Sequence, residues 1–328
     1  LKQAAARWSD CAGDSDERLA QRIRADEIDI LVDLSGHTER NRLQMFARRP
    51  APVQITWNGY ANTTGMSAID FRISDPLVDP PGMTDRFHSE RLLRLPEVYM
   101  VYGTPADAPS VGELPAARGG EVTFGSMNAL SKLSLPVVQL WARLLKATPE
   151  SRLLLVTVPA GRTRERLAGM FAAQGIDPGR LEMHDRLPQQ EFFRMHNRID
   201  IALDPFPFSG TTTTCQSLWM GVPVITLAGP VHASRVTTAM LTSIGLAELV
   251  AGSAGEYVNI ATRLAGNIGK MAELRRGLRQ RMLNSPLTDA DRFTRNLENA
   301  YRTVWRDWCG RRAQTNKAEN RDQSIHWI

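Results

Sequence analysis

A chain of 328 residues with 42% apolar and 23% charged content has room for two ordinary domains whose cores need no staples. The three cysteines, Cys11, Cys215 and Cys309, are far apart, which excludes a disulfide framework and a CxxC zinc site. No apolar run is long enough to cross a bilayer, no apolar signal core opens the chain, and the net charge of +5 is scattered, as in "ARRPAP" and "ELRRGLRQRM". These features lead us to expect a cytoplasmic protein with neither membrane nor nucleic acid as partner, whose modest positive field favours small anions.

The chain opens with a helix in "DSDERLAQRIRADE", capped by Asp14 or Ser15, and a buried strand in "IDILVDLSG". "NRLQMFARRPAPVQITWNGY" reads as a helix stopped by Pro50 and a second strand, Val53 to Trp57. "IDFRISDP" and "ERLLRLP" read as two further short strands, or as a strand and a turn. Residues 103–120, rich in Gly, Pro and Ala, read as a linker.

A second strand–helix alternation follows. The strands are "EVTFGSM", "SRLLLVTVP", "RLEMHDRL", "IDIALDPF" and "PVITLAG"; the helices are "LSLPVVQLWARLLKATP", "RTRERLAGMFAAQG", "QQEFFRMHNR" and "TTTTCQSLWMG". This pattern predicts right-handed crossovers and a parallel sheet. A long helix is expected in "DADRFTRNLENAYRTVWRDW", packing back on the first domain, and then a loose polar tail.

Ligands of parallel α/β sheets bind beyond the carboxyl ends of the strands. Four such ends carry polar clusters. After "IDIALD", which ends at Asp204, Gly210 precedes Thr211, Thr212, Thr213 and Thr214 at a helix start, where unpaired amides suit a phosphate; the alternative is a capped helix with no ligand. After "EVTFGS" come Asn128 and Lys132, a counter-charge for a diphosphate or a plain surface lysine. His37 follows the strand holding Asp33, and the Gly59 and Gly65 loop is a second wall for a sugar; Asp33 also fits a satisfied buried carboxylate. His232, Ser234 and Arg235 precede another helix, as an anion site or a polar loop. No GxGxxG follows a strand and no P-loop is present, which leaves a nucleotide diphosphate without a dinucleotide fold. A DxD pattern is also missing, and no metal is expected.

Taken together, "ILVDLSGHTERNRLQMFARRPAPVQITWNGY", "HSERLLRLP", "FGSMNALSKLS", "LDPFPFSGTTTTCQSLWMGVPVITLAG" and "HASRV" resemble the catalytic region of the O-linked N-acetylglucosamine transferase family, in its bacterial SPINDLY-like branch. The resemblance runs from about residue 5 to about residue 309. It implies an α/β, GT-B fold with two Rossmann-like domains and a cleft between them. It implies inverting, metal-independent transfer from a UDP-sugar, N-acetylglucosamine first, to Ser or Thr hydroxyls of a protein acceptor, without cofactor; plant relatives use a fucosyl donor. By the same resemblance Thr211, Thr212 and Thr213 hold the diphosphate, Lys132 neutralises it, Ala129 stands where animal members carry a Gln that also touches it, and Leu187, Gln189 and Gln216 meet the base and ribose; Asn128 is taken as substrate-binding from its place between the strand end and Lys132. Asn58, Gly59 and Ala61 lie near the donor sugar, and His37 near the reaction centre.

Three departures stand out: Gln216 replaces an acidic residue, "WNGYAN" replaces "WLGYPG", and the upstream stretch of the first domain and the tetratricopeptide helices do not appear. The expected division is an incomplete first domain over 1–115, a nucleotide-sugar domain over 116–312 and a polar tail over 313–328. The rival readings are an inactive nucleotide-binding or interaction module and another GT-B nucleotide-sugar enzyme such as an epimerase.

Overall fold

Short runs of branched and apolar residues, each ended by Gly, Pro, Ser or Asp, become the strands of two wholly parallel sheets. The protein is described from a computed structural model, which covers residues 2–323. Its contacts separate two units: Leu1–Asp75, Asp85–Tyr99 and the chain from Thr294 form one, and Pro76–Thr84 with Met100–Phe293 form the other.

The first unit holds β1 (Ile30–Asp33), β2 (Val53–Thr56), β3 (Phe71–Ser74) and β4 (Arg91–Arg94), paired in that order. α1 (Asp16–Ala25) is capped by the Ser15 hydroxyl, which accepts from the Arg18 amide. With α2 (Leu43–Ala47) it packs Leu19, Ala20, Leu43, Met45 and Phe46 against Ile69. β2 is buried at all four positions, and its buried Gln54 amide donates to the carbonyls of Phe46 and Ala68. β1 differs from the buried strand expected: it lies at the edge of the sheet, its first three residues are half-buried and Leu34 is 58% exposed. A one-dimensional apolar run does not report whether a strand has neighbours on both sides.

The second unit holds β5 (Thr123–Ser126), β6 (Arg152–Leu155), β7 (Leu181–Met183), β8 (Ile201–Leu203), β9 (Val224–Leu227) and β10 (Val250–Ala251). Their spatial order is β7-β6-β5-β8-β9-β10, the doubly wound Rossmann order, which reverses direction between β5 and β8. Helices α4 (Leu135–Ala147), α5 (Arg162–Ala172), α6 (Gln189–Met195), α7 (Thr212–Trp219), α8 (Val236–Ser243), α9 (Ala254–Ala265) and α10 (Ile268–Leu283) connect or cover these strands, and a short α3 (Pro115–Gly119) precedes them. Of these, α4 shows the sequence logic best. Val137, Val138, Trp141, Leu144 and Leu145 recur at helical spacing and all are buried, each contributing about 1.5–3 kcal/mol. Gly125 lies in β5 because Ile199 fills the place of a side chain there.

Two expectations fail. The linker of residues 103–120 is not loose, and it belongs to the second unit from Met100 on, which moves the expected boundary at 115 back. The Gly112 amide donates to Asn197 Oδ1, the Ala116 amide to Asp200 Oδ1, and the Gly112 carbonyl accepts from Arg275 Nε, each at 2.8–2.9 Å. A segment without sheet partners is thus satisfied by buried side chains. Nor does the helix near the C-terminus end before a polar tail at 313. It is α11 (Ala290–Gln323), joining the first unit from Thr294, and it continues because "RRAQTNKAENRDQ" is rich in helix-forming residues despite its polarity. Residues 324–328 of that expected tail lie outside the described residues.

Arg275 is 2% exposed, and besides Gly112 it donates to the carbonyls of Ile199 at 2.8 Å and His196 at 3.4 Å. Burial lowers its pKa, and Asp200 acts in the opposite direction. Arg275→Ala orphans these carbonyls and is expected to cost about 3–5 kcal/mol of stability. A urea unfolding midpoint equal to wild type would contradict this anchoring role.

Candidate nucleotide-sugar site

The strand order reverses between β5 and β8, and the carboxyl ends at such a switch point are where parallel α/β sheets hold their ligands. The two segments leaving these ends are Met127–Lys132 and Asp204–Thr211, and both carry residues that the sequence had singled out.

Asp204 ends β8 and is 1% exposed. Its Oδ1 accepts from the Gly210 amide and its Oδ2 from the Thr226 hydroxyl, both at 2.7 Å. The Tyr257 hydroxyl donates to its carbonyl at 3.2 Å. Burial pushes the carboxyl pKa up to about 6, against the lowering effect of Thr226, the Gly210 amide, Thr237 and Lys132. The turn that Asp204 holds is tight: a side chain on Gly210 would collide with Thr214 Oγ1.

The four threonines then divide. Thr213 Oγ1 donates to Asn128 Oδ1 at 2.9 Å, tying the α7 start to the end of β5. Thr214 Oγ1 shares a 3.0 Å bond with Thr237 Oγ1, whose hydroxyl also reaches the Gly210 carbonyl. Thr211 occupies the N-cap position yet makes no side-chain cap, and among the described residues neither its hydroxyl nor that of the exposed Thr212 has a protein partner. The first amide to bond back is Cys215, to the Thr211 carbonyl, so those of Thr212, Thr213 and Thr214 have no helical acceptor. A helix start with open amides, two uncommitted hydroxyls and the positive end of the helix dipole is a ready anion site.

Lys132 sits opposite, in the 3₁₀ turn Leu130–Lys132 that follows β5. Its Nζ donates to the Ser209 carbonyl at 2.7 Å and lies 4.2 Å from the centre of the exposed Phe208 ring. Burial lowers its pKa, and Asp204 raises it in part. Asn128 is 7% exposed, and its carbonyl accepts from Thr157 Oγ1 at 3.0 Å beyond β6. Hydrogen bonds therefore link the ends of β5, β6 and β8 around the α7 start, while Thr226 of β9 supports Asp204.

The remaining candidates stand apart from this cluster. Gln216 is half-buried on α7, one turn beyond Thr212. Half-buried Leu187 and exposed Gln189 follow β7, three strands from β8, which is roughly 14 Å at the usual strand spacing. Among the described residues no hydrogen bond joins them to the threonines. His232, read as part of an anion site, is buried, and its Nδ1 meets Asp79 Oδ2 at 2.7 Å. Arg235 donates to the carbonyls of Leu77 and Val78. That loop grips the segment Pro76–Thr84.

In the first unit, Asp33 is a satisfied carboxylate. It accepts from the Ser35 and Gly36 amides and from the Thr56 hydroxyl, all within 3.0 Å. His37 is exposed; its Nε2 lies 2.8 Å from the Thr64 carbonyl and its ring packs edge-on to Tyr60. Exposed Asn58 has φ 61°, and half-buried Ala61 lies in the same loop. Gly59 passes so close to the Leu34 carbonyl that no side chain fits. Glu90 pins this loop through the Thr63 and Thr64 hydroxyls and the Thr64 amide. Burial raises its pKa, but these bonds outweigh it and the net shift is downward. His37, Asn58, Gly59 and Ala61 thus gather at the ends of β1 and β2. The support given by Asp204, Thr157, Thr237 and Tyr257 was not visible in the sequence, since each partner lies on a separate strand or helix.

The chain is 44% identical over 305 residues to a Petunia hybrida protein named as a probable UDP-N-acetylglucosamine–peptide N-acetylglucosaminyltransferase SPINDLY, covering 92% of this chain and 33% of that one. A Caenorhabditis elegans UDP-N-acetylglucosamine–peptide N-acetylglucosaminyltransferase is 23% identical, over 90% of this chain and 35% of its own. The chain thus spans about a third of the length of these curated relatives. Among solved structures, a mutant of the Thermobaculum terrenum O-GlcNAc transferase superposes with a TM-score of 0.89 at 42% identity, covering 94% of this chain and 59% of that one. A pneumococcal O-GlcNAc transferase, solved with UDP and GlcNAc, shares the fold with a TM-score of 0.51 at 12% identity, over 89% and 60% of the two chains. The fold is α/β of the GT-B kind, built from two Rossmann-like units. With residues 8–106 and 114–297 matched by the family description, the chain belongs to glycosyl transferase family 41.

Proposed function

We propose that this chain is the catalytic region of a protein O-glycosyltransferase that moves N-acetylglucosamine from a UDP donor to Ser or Thr hydroxyls of proteins. The observation that carries this reading is the meeting of Lys132 with the open α7 start at the switch point between β5 and β8. The names of the relatives in two kingdoms point the same way.

In this reading the acceptor oxygen attacks the anomeric carbon as the bond to the diphosphate breaks, and a single displacement inverts the centre. Negative charge grows on the departing phosphate. The amides of Thr212–Thr214, the hydroxyls of Thr211 and Thr212 and the Lys132 ammonium meet it, so no metal or cofactor is required. Thr213 acts by fixing the helix start to Asn128. Leu187, Gln189 and Gln216 are proposed for the base and ribose, Asn58 and Gly59 for the sugar, and His37 for the acceptor side.

Lys132→Ala is expected to slow donor turnover by about 10²–10³-fold and to weaken UDP binding. Thr212→Val, which removes one hydroxyl, is expected to cost about tenfold. Calorimetric UDP titration and a donor hydrolysis assay on both variants check this, and wild-type values in both would remove the site assignment. A second check uses pH. Lys132 works as the cation, and its pKa lies below the ordinary lysine value. Activity should therefore fall on the alkaline side at a lower pH than an exposed lysine would give, and Lys132→Arg should move that limb upward. An alkaline limb unmoved by the arginine would assign it to another group.

A further inference from the structure

The first unit carries a polar recess of about 320 Å³, bounded by Arg49, Asp70 and Arg91 on one side and by Trp308, Arg311, Arg312 and Thr315 on α11. The sequence brings these guanidinium groups from segments more than 200 residues apart. Among the described residues Asp70 is the only acid lining the recess, and Arg49 uses it in a bidentate pair at 2.9 and 3.2 Å. Among the described residues Arg91, Arg311 and Arg312 have no carboxylate partner. Two of them rest on aromatic faces: Arg91 lies 4.3 Å from the centre of the Phe71 ring and Arg312 lies 5.9 Å from that of Trp308. Trp308 is itself stacked flat on Trp305.

Stacking holds a guanidinium by its face and leaves its N–H edge open, which is the edge that grips a planar or tetrahedral oxyanion in two bonds. With Asp70 taken up by Arg49, the three remaining like charges that line the recess repel one another, and an anion relieves that repulsion. We propose that this recess binds a phosphate monoester carried on a peptide, a phosphoserine or phosphothreonine side chain. Three uncompensated cations match the near-dianionic charge of a phosphomonoester better than a single carboxylate. The recess has one indole wall and otherwise polar lining, too little apolar surface to enclose a nucleoside or a sugar phosphate. The arginines line one recess instead of forming the row that tracks a nucleic-acid backbone, and arginine clusters of this kind suit phosphorylated motifs. The assignment is independent of the sugar-transfer reading.

Fluorescence anisotropy on the full chain tests it with three labelled peptides of sequence Gly-Ala-Gly-Xaa-Gly-Ala-Gly, where Xaa is phosphoserine, serine or aspartate. The phosphoserine peptide should bind and the serine peptide should not, with aspartate weaker than phosphoserine. Arg91→Gln and Arg312→Gln should each weaken the phosphopeptide about tenfold. Lysine at either position should restore only part of the loss, because the fork is missing. UDP affinity, measured on the same samples, should stay at the wild-type value and reports that the variants are folded. Equal binding of the serine and phosphoserine peptides by the wild-type chain overturns the proposal. So does wild-type phosphopeptide affinity in both glutamine variants. Inorganic phosphate competing at the concentration of the phosphopeptide, or Arg91- and Arg312-dependent binding shown only by phosphatidylserine vesicles or a single-stranded oligonucleotide, overturns it as well.

Discussion

The geometry of the second unit turns on a buried carboxylate. Asp204 has left water at the end of β8, and its charge is compensated by the Gly210 amide, the Thr226 hydroxyl and the nearby Lys132. Burying an acid is costly unless its lone pairs are met. Meeting them here forces the chain back over the strand end, so that α7 begins just above it. Gly210 follows from the same requirement, since no larger residue clears Thr214. The open helix start is thus a consequence of how Asp204 is satisfied.

That arrangement also explains why four threonines stand in a row. A single hydroxyl suffices to cap a helix, and Thr211 at the cap position does not even do so. Thr213 and Thr214 face the protein, one holding Asn128 and the other Thr237. Thr211 and Thr212 are left over with the amides. The residues split into two that build the turn and two that are uncommitted. Lys132 behaves similarly: its ammonium rests on a carbonyl and an aromatic face, so no carboxylate neutralises it by direct contact. Its nearest acid is already occupied by two other donors.

Much of this was legible. The strands were visible as branched apolar runs between breakers, α4 as a helical stripe, and the threonine row as an excess of donors at a helix start. What local pattern does not encode is pairing at long range. Strand order was invisible, and with it the switch point at whose adjoining strand ends Lys132 and Thr212 stand. The composition of residues 103–120 suggested freedom, but their anchors Asn197, Asp200 and Arg275 come 84 to 163 residues later. His232 looked like a ligand-facing residue until Asp79, 153 residues away, proved to be its partner. Polar sequence beyond Trp308 concealed a helix, because charged residues with long unbranched side chains form helices well.

The cations of this molecule form a graded series that orders its surfaces by purpose. Arg275 is buried, and backbone carbonyls and Asn197 take up its donors, so it can only brace the fold. Arg49 is neutralised by Asp70 and closes a turn. Lys132 has no carboxylate in direct contact and leans on one carbonyl, a contact weak enough to exchange for a phosphate. Among the described residues Arg91 and Arg312 are held through the faces of their guanidinium groups and not by a carboxylate. Pre-positioning a cation without neutralising it costs electrostatic energy in the free protein, and that cost is recovered only when an anion arrives.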